Sequence, residues 1–301
     1  MLAEFPLANC LPETDPVFLA HLEETVRNIL AQTRNHPCIV EWTGGNEMPW
    51  ANATDHPALH LLRRLVREED GRIFRATEPA EGSGAHGTYT YVYHTEPAPY
   101  LSWLGAGNSN LYRRYNTCSQ MRISEFGTNS PANLEVWHRE IPPSSQWPLR
   151  NDDPILIRKN VFWGALIKEN WLHPEIIECL FGPAESLEEL VEAGQFLGGE
   201  GLRYAMDALR RQGPALGGGF MSWNYNEPWP NGAGSYMVDY DGRPLMNYDF
   251  VRQALAPVSL SVQVDSILYE PDSGVQAELF LTSDAPEKVE NVRWRWLARD
   301  R

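Results

Sequence analysis

Residues 38–50 read Cys38-Ile39-Val40-Glu41-Trp42-Thr43-Gly44-Gly45-Asn46-Glu47-Met48-Pro49-Trp50. The apolar lead Cys38-Ile39-Val40 predicts a buried strand that runs on to Thr43 and stops at two glycines, which permit backbone conformations that residues with a Cβ avoid. The stop presents an amide, Asn46, and a carboxylate, Glu47, at the strand's C-terminal end. In parallel α/β proteins that end is where ligands sit. A strand-end Glu is by itself more often a structural or exposed residue, so its meaning depends on what the flanking chain builds. Glu41, inside the strand and beside Trp42, reads as an ion-pairing or structural residue rather than a catalytic one.

Working outward, Asp15-Pro16 opens a helix as N-cap and first-turn proline, and Phe18, Leu22, Val26 and Ile29/Leu30 form its apolar stripe. Asn35-His36-Pro37 ends it. His56-Pro57 starts a second helix with Leu61, Leu62, Leu65 and Val66 on its buried side. Ser186 and Glu189 form a capping box for a long helix reaching about Arg211. Strands are expected near residues 4–8, 38–43, 72–77, 88–94, 121–126 and 218–224. Alternating helices and strands with short connections indicate an α/β fold. Two architectures fit. One is a (β/α)8 TIM barrel lacking its first two strands; the other is a doubly wound open sheet, for which no G-x-G-x-x-G or Walker sequence speaks.

From about Pro257 the pattern alternates, in Ser259–Val264, Gln276–Thr282 and Val289–Leu297, as in a β-sandwich. The expected division is a catalytic barrel portion, 1–256, and the start of an immunoglobulin-like sandwich, 257–301.

The 301 residues carry a net charge of −15, which argues against nucleic acid or an anionic membrane as partner. No run approaches the length of apolar sequence needed to span a bilayer. MLAEFPLANC at the start lacks the basic and hydrophobic regions of a signal peptide; the compartment stays open between a bacterial-type cytoplasm and periplasm. Cys10, Cys38, Cys118 and Cys179 are widely spaced. They form no metal-ligand pattern, and are read as buried reduced thiols with a disulfide as the alternative. No metal or cofactor is expected. Eleven Trp and twelve Tyr, several in Pro- or Gly-rich stretches, offer flat apolar faces with polar edges of the kind that stack on sugar rings.

A second carboxylate stands in the same kind of place as Glu47. Glu125, in Ser124-Glu125-Phe126-Gly127, ends a strand beside a glycine. A barrel would bring both onto one rim, and two carboxyl groups facing a sugar are what glycoside hydrolysis needs.

Four segments together give a resemblance to glycoside hydrolase family 2, most of all to its β-mannosidase branch. Glu4-Phe5-Pro6-Leu7-Ala8-Asn9 resembles the family's third-strand segment. Asn35-His36-Pro37 through Trp42 and on to Gly45-Asn46-Glu47 resembles its N-H-P…W…G-N-E signature. Ser124–Gly127 resembles S-E-F-G. Trp223-Asn224-Tyr225-Asn226-Glu227-Pro228-Trp229-Pro230, followed by Asp239-Tyr240-Asp241-Gly242-Arg243, resembles its closing segment. The order and spacing agree over nearly the whole chain. Thr90, Tyr91 and Tyr93 stand where the family carries Trp residues, and Glu227 where the branch usually has Asp. The family's N-terminal sandwich and first two barrel strands have no counterpart, so the chain reads as a fragment of a longer enzyme.

The resemblance implies a retaining exo-β-glycosidase acting on a carbohydrate substrate, with terminal β-mannosides favoured. β-Galactosidase, β-glucuronidase and exo-glucosaminidase specificities are alternatives, as is a non-catalytic fragment. It implies Glu47 as acid/base and Glu125 as nucleophile, with carboxyls about 5–5.5 Å apart; the negative Glu125 would keep Glu47 protonated until it donates. Asn46 would bond the sugar 2-OH, and Trp223 would floor the subsite. His94 would hydrogen-bond the nucleophile, while Trp50 and Trp229 would wall the pocket.

Overall fold

The computed structural model describes residues 1–49, 55–79, 85–87, 111–118, 122–150, 152–159, 172, 174–213, 219–267, 269, 272, 274–295 and 297. Trp50, the predicted 88–94 strand with Tyr91, Tyr93 and His94, and Gly217 and Gly218 lie outside these residues. In chain order the elements are β1 (Leu2–Glu4), α1 (Pro16–Thr33), β2 (Glu41–Thr43), α2 (Pro57–Glu69), β3 (Ile73–Arg75), β4 (Ala85–His86), α3 (Leu111–Asn116), β5 (Ile123–Phe126), β6 (Ser130–Pro131), α4 (Leu134–Glu140), α5 (Pro143–Gln146), α6 (Pro154–Arg158), α7 (Pro174–Phe181), α8 (Leu187–Arg211), β7 (Phe220–Ser222), β8 (Ala233–Gly234), α9 (Met246–Ala254), β9 (Val258–Gln263) and β10 (Glu278–Ser283). The fold is mixed α/β. It divides into two compact units, one of residues 1–87, 119–126 and 215–221, the other of 88–118, 127–214 and 222–301.

In the first unit β1, β2 and β3 form a parallel sheet in that order, with Leu2 opposite Glu41 and Glu41 opposite Ile73. Helices α1 and α2 connect these strands. The Asp15 carboxylate accepts from the Val17 and Phe18 amides at 3.0 Å and starts α1, whose Leu22, Val26 and Leu30 are buried. His56 Nδ1 accepts from the Ala58 amide and starts α2. Leu59, Leu62, Leu65 and Val66 of α2 join Phe5, Ile39 and Trp42 in one apolar core, where the Phe5 and Trp42 rings stack with centroids 5.0 Å apart. A second sheet of the order β4-β5-β7 carries the parallel β4–β5 pair.

Several strand boundaries differ from those expected. The first ladder occupies Leu2–Glu4 rather than 4–8. Pro6 has no amide hydrogen to continue it, and pairing resumes only at a single bridge between Ala8 and Asn46. The second ladder begins at Glu41, not Cys38; Ile39 is buried but Val40 is 61% exposed, so the apolar run is not a uniformly buried strand. Cys10 and Cys38 are exposed and Cys118 half-buried, and all three thiols are free. The expectation of buried thiols is thereby corrected: Cys38 precedes the ladder and faces solvent. The two glycines also act differently from the expectation. Neither Gly44 nor Gly45 has positive φ; instead, a Cβ on Gly44 would overlap the Ala76 carbonyl and one on Gly45 the Leu7 carbonyl. They permit the close approach of neighbouring chain segments.

In the second unit the Ser186 hydroxyl caps α8 by accepting from the Glu189 amide at 3.2 Å, while the Glu189 carboxylate accepts from the Glu185 amide. Strands β9 and β10 pair antiparallel, Val258 opposite Ser283. The third strand expected at 289–297 is irregular among the described residues, with Val292, Trp294 and Leu297 exposed. Its alternating pattern has no ladder to join there. No helix among the described residues is long and apolar enough to cross a membrane.

Candidate active site

The first unit brings Glu47, His86 and Glu125 together. One ligand-type atom from each lies within 4.8 Å of the others. His86 Nδ1 is 2.8 Å from Glu47 Oε1 and 3.7 Å from Glu125 Oε2. The His86 side chain is 9% exposed and that of Glu47 35%, so the imidazole is enclosed while the Glu47 carboxyl remains open to an incoming molecule.

Local structure explains each placement. Glu47 follows the point where Gly44 and Gly45 let the chain pass between its neighbours. The Asn46 amide donates to Leu7 O at 2.9 Å, the Glu47 amide to Glu78 O at 2.7 Å, and the Met48 amide to Thr77 Oγ1 at 3.0 Å. Held between the extensions of β1 and β3, Glu47 adopts φ of +48°. A left-handed conformation costs a side-chain-bearing residue about 1–3 kcal/mol, and persists where the surroundings over-determine it, typically at functional sites. Asn46 is half-buried, and its carbonyl accepts from the Asn9 amide at 2.8 Å.

Glu125 is placed by a register irregularity. Ala85 faces Ile123 and His86 faces Glu125 across β4–β5, so β5 spends one more residue than β4 between the two pairs. Such irregularities re-aim side chains beside active sites. The Gly87 amide donates to Glu125 O at 2.8 Å and keeps the pair in step.

Beneath the carboxylates lies a charged interior. Arg122, buried, donates to Glu41 Oε1 at 2.8 Å and pairs with Glu78, and Arg75 Nε donates to Glu41 at 2.7 Å. Of the ion-pairing and structural readings that its place in the strand left open, Glu41 takes the first, as a buried ion-pair residue. Ser124 Oγ donates to Glu78, and Thr43 Oγ1 to Glu4 Oε1 at 3.0 Å. Burial pushes the Glu4 carboxyl above its ordinary value, against the Thr43 hydrogen bond that lowers it. For His86 burial favours the neutral ring. The hydrogen bond to Glu47 and the charges of Glu125, Glu47 and Glu78 outweigh burial, so its pKa rises.

Of the residues nominated from sequence, the structure joins Glu47, Asn46 and Glu125 in one unit. Trp50 and His94 lie outside the described residues. Trp223 is half-buried and Trp229 44% exposed, both in the second unit. His86 is a member of this cluster that the sequence pattern does not nominate. Its strand is two residues long, too short to carry a periodicity; the available signal is its position before Gly87 at the start of a β-prone run.

No family model matches the chain. Over 285 residues it is 24% identical to the β-mannosidase B of Thermothelomyces thermophilus, an alignment covering 85% of this chain and 32% of that protein. Its fold is similar to that of the β-D-mannosidase of Dictyoglomus thermophilum, with a TM-score of 0.70 at 19% identity over 93% of this chain and 33% of the other. It is also similar to the exo-chitosanase of Amycolatopsis orientalis, with a TM-score of 0.57 at 13% identity over 89% of this chain and 34% of the other. The chain thus spans about a third of the length of these relatives.

Proposed function

We propose that the chain carries the catalytic residues of a retaining exo-β-glycosidase of glycoside hydrolase family 2, with terminal β-mannosides as substrate. The observation that supports this most is the approach of two carboxyl groups, Glu47 and Glu125, to within 4.8 Å between oxygens. Retaining glycosidases hold their two carboxyls at about 5–5.5 Å; inverting enzymes hold them farther apart to admit a water. The likeness to two β-mannosidases favours mannosides. In this reading the sheets β1-β2-β3 and β4-β5-β7 belong to a (β/α)8 barrel portion of residues 1–256, and residues 257–301 to a sandwich.

In the first half-reaction Glu47 gives its proton to the glycosidic oxygen while a Glu125 oxygen attacks the anomeric carbon. The C–O bond to the leaving group breaks and a glycosyl ester forms on Glu125. In the second, Glu47 takes a proton from water, the water oxygen bonds to the anomeric carbon, and the ester bond to Glu125 breaks. Asn46 binds the sugar 2-OH. The resemblance of the Trp223–Pro230 segment to the family's closing segment supports stacking roles for Trp223 and Trp229.

The test is turnover of a panel of aryl β-glycosides, including the mannoside and the glucosaminide, by the 301-residue protein. The mannoside is expected to be the best substrate, and a 2-deoxy-2-fluoro mannoside to label Glu125 alone. Wild-type activity in Glu125→Gln, or a label on another residue, would overturn the assignment. No turnover of any glycoside by a folded protein would favour the non-catalytic reading.

A further inference from the structure

Resting on the proposed retaining reaction, we infer that His86 is a positioning residue that stays an imidazolium throughout the cycle and holds the single negative charge that passes between Glu125 and Glu47. The geometry carries this. The His86 ring is nearly enclosed, its Nδ1 is 2.8 Å from one carboxylate and 3.7 Å from the other, and β4 presents it directly opposite Glu125 in the ladder.

The charges alternate around it. Before glycosylation Glu125 is anionic and Glu47 carries the proton to be donated. After glycosylation Glu125 is a neutral ester and Glu47 is anionic. Water then returns a proton to Glu47 and the ester bond breaks, restoring the Glu125 anion. One negative charge moves from one side of His86 to the other and back, and the imidazolium is beside it in both states. A fixed cation in a partly enclosed site stabilises such a charge without reorganising at each step. His86 itself neither gains nor loses a proton; its Nδ1 is hydrogen-bonded to Glu47 at 2.8 Å and acts on the Glu125 charge across 3.7 Å.

The surrounding groups favour the protonated ring. Glu47 comes from the turn after β2, Glu125 from β5, Glu78 from the end of the β3 segment and Glu4 from β1. The cation behind them, Arg122, is held by Glu78 and Glu41. The carboxylates of Glu47, Glu125 and Glu78 thus favour the charged ring, and the Glu4 carboxyl also interacts with it.

Two measurements test this. In the chain labelled with 15N-histidine, the His86 ring nitrogens are expected to titrate above the ordinary imidazole value. Glu47→Gln and Glu125→Gln, which preserve shape, should each move that midpoint down. This needs no turnover and so does not depend on the glycosidase reading. In the kinetic arm, His86→Gln should lower kcat by about 10²-fold with KM little changed, and His86→Lys should recover part of the loss by restoring a cation. An ordinary His86 titration unmoved by either carboxylate substitution would overturn the inference. So would wild-type kcat in His86→Gln while Glu125→Gln is inactive, a result that leaves the glycosidase reading standing. Full activity in Glu125→Gln would instead overturn the glycosidase reading, and with it the passage of charge between the two carboxylates.

Discussion

Glu78 accepts the Glu47 amide through its carbonyl oxygen at 2.7 Å, and its buried carboxylate binds Arg122 and Ser124, the residue before Glu125. One residue thus fixes the backbone at one catalytic candidate and the side chain next to the other.

Glu78→Gln should therefore be costly. It leaves Arg122, whose side chain is 8% exposed, with Glu41 as its remaining carboxylate partner among the described residues. Removing one member of a buried ion pair typically costs about 3–5 kcal/mol, because the other charge stays desolvated. Urea denaturation of the variant should show a loss of that order. A loss below about 1 kcal/mol, the range of exposed pairs, would mean that the network is solvated and does not brace the site.

Gly45→Ala should destabilise the fold through packing rather than through φ. The added methyl would overlap the Leu7 carbonyl oxygen, which accepts the Asn46 amide. Backbone has little room to give, and overpacking of this kind costs about 1–3 kcal/mol. Thermal denaturation reads the cost, and the displaced Asn46–Glu47 segment should lower turnover in parallel. A variant as stable and as active as wild type would contradict the close approach.

The α/β character, both long helices of the first unit and the two carboxylates are legible in the sequence because their signals are local. Asp15-Pro16 and His56-Pro57 are helix starts, and Glu47 and Glu125 each end a β-prone run beside a glycine. What is not legible is set by pairing between distant segments. The ladder begins at Leu2 because it faces Glu41, not because of any feature of residues 2–4 themselves. His86 meets Glu125 through a register irregularity between two strands well separated in the chain, one carrying Ala85 and the other Ile123. The role of Gly44 and Gly45 likewise depends on carbonyls contributed by Ala76 and Leu7. The resemblance to a sugar hydrolase points to His94, while the described geometry contains His86.

Glu227 should give the second unit a pH-dependent stability. It is 5% exposed, and burial pushes its carboxyl up to about 7 from an ordinary 4.5, against a lowering by the Asn231 side chain. Between those values the folded chain holds a proton that the unfolded chain has released. Stability therefore falls as pH rises through that window, and is fully present below it. Glu227→Gln removes the titration, so its stability between about pH 5 and 8 should fall less steeply than that of wild type. Parallel slopes in urea denaturation across that range would show that Glu227 is ionised in the folded state at low cost.

Glu47→Ala should separate proton donation from nucleophilic attack. With a poor leaving group such as a methyl mannoside, glycosylation needs the proton, and loss of a general acid costs about 10²–10⁴-fold in rate. With a dinitrophenyl mannoside the leaving group departs without help, so glycosylation should be much less affected and deglycosylation, now lacking its base, should limit turnover. Azide, an anion that needs no base, should then restore turnover and yield the β-glycosyl azide. The 35% exposure of the Glu47 side chain leaves a path for such an anion once the carboxyl is removed. Equal losses for both leaving groups, with no rescue by azide, would remove Glu47 from the acid/base role and leave it a structural partner of His86.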